Sequence, residues 1–124
     1  LFCIGENKSE KKNKKTLNVL QRQLTKVLEK NFNKNNIIVA YEPIWSIGTG
    51  KIPTTIELKK TTLHIKKVLK NIFKKNSPAV LYGGSVDGSN VEMFKEIKEI
   101  DGFLIGGASK SSKKFIDIIK NYYR

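Results

Sequence analysis

Residues 41 to 51 read Tyr-Glu-Pro-Ile-Trp-Ser-Ile-Gly-Thr-Gly-Lys. One acid, Glu42, stands where an apolar run ends and a glycine-bearing loop with a proline at its root begins. A carboxylate placed there can accept a proton from a bound molecule, and the loop behind it can close as a lid. Pro43 steers Glu42 away from helical backbone. Ile44 and Trp45 are expected to shelter the acid, and Trp45 and Ile47 to exclude water on closure. A plainer reading is a strand-end acid paired with lysine, although the nearest lysines in sequence are Lys34 and Lys51.

Two further glycine pairs end apolar runs, Gly83-Gly84 and Gly106-Gly107, alongside Gly48 and Gly50 in the lid. Glycine lets backbone N–H groups approach a ligand without an intervening side chain, which suits a phosphate dianion. Any single pair reads equally well as a tight turn. Three pairs at equivalent strand ends favour a phosphate site.

These residues need elements to hold them. The run Ile37 to Tyr41 has strand length and no polar face, as in a parallel sheet covered on both sides. Cys3-Ile4-Gly5-Glu6, Ala79 to Tyr82 and Gly102 to Ile105 read as three more strands. Between them lie a polar Lys/Asn loop, a helix over about Thr16 to Phe32 with Leu17, Leu20, Leu24, Val27 and Leu28 on one face, and a helix from the capping box at Thr54 to Glu57 as far as Phe73. A second capping pattern, Ser89 to Glu92, predicts a short helix to Ile97. A last helix should carry Phe115, Ile116, Ile118, Ile119 and Tyr122 inward. Four successive strand-then-helix units with right-handed crossovers make either half of an eight-fold barrel or a small doubly wound sheet.

Composition narrows the function classes. The net charge is +13, but it comes from 22 Lys and only 2 Arg, with 11 Asn, a bias that AT-rich coding produces unaided. Nucleic-acid surfaces recruit Arg as well, and the lysines cluster at 11 to 15, 59 to 75 and 110 to 120 as a solvated outer face. No nucleic acid is therefore expected as a partner. Single Cys3 and single His64 leave no disulfide and no metal cluster, and a reducing compartment is expected. No apolar run reaches the length of a membrane span. An opening on Leu1 in mid-strand suggests missing upstream sequence, so import into a plastid stays open beside the cytoplasm.

Cys3-Ile4-Gly5-Glu6, Ala40 through Lys51, Leu81-Tyr82-Gly83-Gly84-Ser85-Val86 and Ile105-Gly106-Gly107-Ala108-Ser109 together resemble triosephosphate isomerases, in that family's order and nearly its spacing. The resemblance covers residues 1–124 as the carboxyl-terminal half of one TIM-barrel domain, from fifth strand to eighth helix. It implies α/β architecture, an aldose–ketose isomerase without cofactor or metal, a triose phosphate substrate and a homodimeric whole protein. Glu42 would shuttle the proton through an enediol or enediolate, with Pro43, Ile44, Trp45, Ser46, Ile47, Gly48, Thr49, Gly50 and Lys51 as the lid. Gly48, Ser85, Gly106 and Gly107 would bind phosphate, and Tyr82 and Ser85 would latch the lid, Ser85 through Gly50. Cys3 and Glu6 match positions near the site, but read as a buried thiol and a strand-end ion pair. His64 matches no catalytic position. Competing readings are a basic phosphate- or RNA-binding module derived from the half-barrel, and a barrel half serving another sugar phosphate.

The chain also departs from the family. The family's catalytic lysine, substrate-binding asparagine, electrophilic histidine and dimer loop all belong to the other half, so these 124 residues alone should be inactive. Lys110 stands where an apolar residue is more usual, unsettling the last short turn. Pro53 occupies the position whose backbone N–H would bond Tyr82, and proline has no such donor. One neutral hydrogen bond is worth about 1 kcal/mol, so Pro53→Ala in the complete protein should slow lid opening. Unchanged lid kinetics would count against a weakened latch.

Overall fold

The computed structural model describes residues 1–74 and 77–124; Lys75, at the end of the second lysine cluster, lies outside them. Four parallel strands, β1 (Phe2–Ile4), β2 (Ile38–Tyr41), β3 (Ala79–Tyr82) and β4 (Gly102–Phe103), pair in the order β1-β2-β3-β4. The helices are α1 (Lys8–Lys12), α2 (Thr16–Val27), α3 (Thr55–Phe73) and α4 (Ser112–Tyr122), with 3₁₀ turns at Lys34–Asn36, Val91–Glu96 and Gly107–Lys110. A doubly wound sheet reverses its strand order at a switch point. Here each strand simply joins the one before, as in a barrel wall.

The core lies on the helix side of the sheet. Ile4, Val39, Tyr41, Val80 and Tyr82 pack against Leu20 and Leu24 of α2 and Leu58, Ile65 and Leu69 of α3. Tyr41, Tyr82, Phe94, Phe103 and Tyr122 form an aromatic series, with successive centroids 6.2, 5.1, 5.6 and 5.4 Å apart. Spacings and tilts of this kind suit ring edge against ring face. The opposite face is barer than the apolar strands suggested. Cys3 and Ala79 are exposed and Leu81 is half-buried, and Ile38 is 42% exposed.

Several boundaries move. The expected polar loop after β1 is helix α1, because Asn7 Oδ1 accepts from Glu10 N–H and the Glu10 carboxylate accepts from Asn7 N–H, both at 2.9 Å. Conversely α2 stops at Val27 instead of Phe32. Leu28 is extended and turns into the core, and the asparagines beyond it have low helix propensity. Asn33 instead caps a separate turn through Asn35 N–H. Val27 is exposed while Val19 takes an inward place. The Thr54/Glu57 capping box forms as read and α3 ends at Phe73.

The Ser89 to Glu92 box does not form. Asp87 captures Ser89 through both its N–H and hydroxyl, and Asn90 bonds Asp87 N–H and the Ser85 carbonyl. Val91–Glu96 coils as a 3₁₀ turn in place of the expected α-helix. In α4 only Ile118 is buried and Tyr122 half-buried, whereas Phe115, Ile116 and Ile119 are exposed. This helix packs against the turns at 91–96 and 107–110. The turn carrying Lys110 is intact, with Ser109 Oγ donating to the Gly106 carbonyl at 2.6 Å.

Among the described residues, strands β1 and β4 each leave one edge unpaired, and such edges template association. The 124-residue chain should therefore sediment as concentration-dependent oligomers. A monomer at every loading concentration would contradict this.

Candidate active site

Glu42 sits one residue beyond β2, where the backbone ladder continues past the strands. Its N–H donates to the Ile4 carbonyl at 2.7 Å, Ile44 N–H to the Glu6 carbonyl at 3.0 Å, and Gly83 N–H to the Tyr41 carbonyl at 2.9 Å. The glycines on both flanks make room for the acid. A Cβ on Gly5 would run into the Glu42 carbonyl oxygen, and one on Gly83 would lie 2.5 Å from Glu42 Cγ. A side chain at Gly5 would displace the Glu42 backbone, and one at Gly83 would displace the Glu42 side chain.

Glu42, Gly48, Ser85, Gly106 and Gly107 line one cleft of about 500 Å³, together with Gly50, Gly83, Gly84, Asp87 and Lys114. Added Cβ atoms on Gly48, Gly50, Gly106 and Gly107 would meet nothing within 4 Å. These four are open toward the cleft, and Gly48 and Gly50 have φ of 67° and 74°, backbone that glycine adopts without penalty. The strand-end glycines thus divide. Gly5, Gly83 and Gly84 serve close packing, while the other four leave backbone accessible.

The 43–51 segment is bonded down onto the Gly83-Gly84-Ser85 loop. Gly50 N–H donates to Ser85 Oγ at 3.1 Å, and Ser85 Oγ donates to the Ser46 carbonyl at 2.6 Å. Ser46 is fully buried. Its Oγ donates to the Lys51 carbonyl and accepts from Ser85 N–H at 3.2 Å. With that proton committed, the Tyr82 hydroxyl 3.3 Å away is the donor in their contact. A Cβ on Gly84 would fall 2.6 Å from Ser46 Oγ. Ser46 was visible in the sequence only as one lid residue. Its signal was a lone hydroxyl between apolar Trp45 and Ile47. Tyr82 therefore meets the 43–51 segment through Ser46, and Pro53, which has no N–H to donate, is buried.

The shelter expected from Ile44 and Trp45 is not in place. Ile44 is exposed, and Trp45 turns its indole away to donate to Glu6 Oε1 at 2.8 Å. Glu6 is no strand-end ion pair. It is 1% exposed and accepts from Trp45 and from the Tyr41 hydroxyl, 3.2 Å from each oxygen. Cys3 is exposed rather than buried. Its thiol is raised above its ordinary value, first by hydrogen bonding to Glu42 and then by desolvation and the like charge. His64 lies elsewhere, in a groove with Gln21, Thr25 and Asn71, its Nε2 buried without a partner.

A carboxylate at a parallel strand end, a glycine-lined cleft and a bonded-down loop are arranged as at the carboxyl end of an α/β barrel. A sequence model of the family described as triosephosphate isomerase matches residues 1–122. The triosephosphate isomerase of Saccharomyces cerevisiae is 44% identical, with 98% of this chain and 50% of that protein aligned. That of Chlamydia abortus is 37% identical, with 100% and 50% aligned. The crystal structure of the Bartonella henselae triosephosphate isomerase superposes with a TM-score of 0.85 at 34% identity, covering 98% of this chain and 49% of that one. The chain belongs to the triosephosphate isomerase family, and it spans about half the length of the curated relatives it matches. Nothing in those relatives' names points to an RNA-binding module or a plastid. Among the described residues no helix is long and apolar enough to cross a membrane.

Desolvation pushes the Tyr82 hydroxyl up from 10.0 to about 12, with the Glu6 charge adding to it. Tyr41 is raised further, first by desolvation, then by Glu6. A folded value above the unfolded one means stability that is complete below about pH 10 and lost as pH rises through about 12. Urea midpoints should fall between pH 9 and 12, and fall less in Tyr82→Phe. Parallel titrations of both proteins would refute the assignment.

Proposed function

We propose that residues 1–124 are the carboxyl-terminal half of a single barrel domain that interconverts dihydroxyacetone phosphate and D-glyceraldehyde 3-phosphate. The observation that carries this is Glu42, held between Gly5 and Gly83 and facing a cleft with open glycine backbone. The phosphate is received by backbone N–H groups of Gly48, Gly106 and Gly107 and by Ser85. Glu42 removes a proton from the hydroxymethyl carbon of the ketose, leaving an enediol or enediolate, and returns it to the adjacent carbon. The lid over residues 43 to 51, latched through Ser85 and Tyr82, keeps water from the intermediate and slows loss of phosphate.

Among the described residues His64 is on another surface and the cation lining this cleft is Lys114 of α4, and neither is assigned as the group that polarises the substrate carbonyl opposite Glu42. That group comes from the amino-terminal half, and the complete protein is a cytoplasmic homodimer. The relatives' names support a triose phosphate as substrate.

Glu42→Gln in the completed barrel removes the proton acceptor and keeps the shape. Positioned general bases contribute roughly 10²- to 10⁴-fold, so kcat should fall by at least that lower figure with KM little changed. Undiminished interconversion of the two trioses would overturn the reading.

A further inference from the structure

Trp45, at the root of the lid, is held on two sides of its indole. At the edge, Nε1 donates to buried Glu6 at 2.8 Å. On the face, the Lys11 ammonium lies 3.6 Å from a ring centroid. An aromatic ring is positive at its edge and negative on its face, so an anion at the edge and a cation on the face both suit it. Lys11 is itself held, with Nζ 3.6 Å from Glu57 Oε1 on the first turn of α3. Its own helix, α1, is fixed by the Asn7/Glu10 capping box.

Lys12, Lys14 and Lys60 line the same groove behind the lid. Among the described residues, none of these three makes an ion pair or a ring contact. Charge alone therefore does not single out Lys11; its place over the ring does. The contact accompanies the arrangement in which Ser46 and Gly50 reach Ser85.

We propose that Lys11 is a positioning residue for the lid: it braces the face of Trp45 against α3 and so favours the seated loop. This rests on the reading of residues 43 to 51 as a lid over a catalytic Glu42. Lys11 touches neither the cleft nor Glu42, and it acts through Trp45. Losing one partly exposed cation–π contact should change the seated-to-open ratio about two- to fivefold.

The test uses the completed barrel carrying 5-fluorotryptophan, with the Trp45 resonance identified by its loss in Trp45→Phe. In Lys11→Met the Trp45 resonance should shift, its open fraction should rise about two- to fivefold, and kcat/KM should fall by a similar factor. Lys11→Arg, which restores a cation over the ring, should recover both. Lys12→Met removes the same charge from the same helix and should alter neither. A Trp45 resonance unmoved by Lys11→Met, or moved equally by Lys12→Met, overturns the proposal. If the barrel does not isomerise at all, the functional reading fails, and the resonance alone still decides the role of Lys11.

Discussion

The strand ends are organised by a steric constraint: Glu42 lies against bare backbone on both flanks. Parallel strands stand about 4.8 Å apart, so an acid at one tip has little room if its neighbours carry Cβ atoms. The order β1-β2-β3 puts Gly5 on one side and Gly83 on the other. Gly5 leaves room for the Glu42 backbone carbonyl, and Gly83 leaves room for its side chain. The same sheet order brings β4 beside β3, which sets the Gly106-Gly107 backbone on the rim of the same cleft.

Behind this rim lies a buried polar layer centred on Glu6. Glu6 is surrounded by two neutral donors, the Tyr41 hydroxyl and the Trp45 indole. An ionised group in such a place is costly unless its lone pairs are occupied. The donors come from β2 and from the start of the 43–51 loop, so satisfying Glu6 also fixes where that loop begins.

The parts of this fold most legible in the sequence were those governed by a single local rule. The apolar run of β3, the Thr54/Glu57 box and the Gly-rich strand ends were of that kind, and each is where the residues indicated. Elsewhere local rules competed. The Ser89 to Glu92 pattern is a sound capping box in isolation, but Asp87 two residues earlier offers Ser89 a nearer acceptor. The capping pair Asn7/Glu10 sits in a lysine-rich stretch with no apolar face to announce a helix. Burial depended on neighbours that no window of sequence contains. The outward turn of Phe115 and Ile119, the exposure of Cys3 and the burial of Glu6 are of this kind. At the site, residue types revealed the acid and the accessible glycines, whereas Ser46 and Lys11 draw their importance from partners more than 30 residues away.

Ser46 Oγ gives its only proton to the Lys51 carbonyl and receives two from Ser85 and Tyr82. An oxygen so fully subscribed has no spare capacity for an intermediate arrangement. Partial withdrawal of the loop would strand a buried hydroxyl, its tyrosine partner and a backbone amide together, away from water. Moving Ser46 away from the Gly83-Gly84-Ser85 loop would break its bonds to Ser85 and Tyr82 together, whereas its bond to the Lys51 carbonyl lies within its own 43–51 segment.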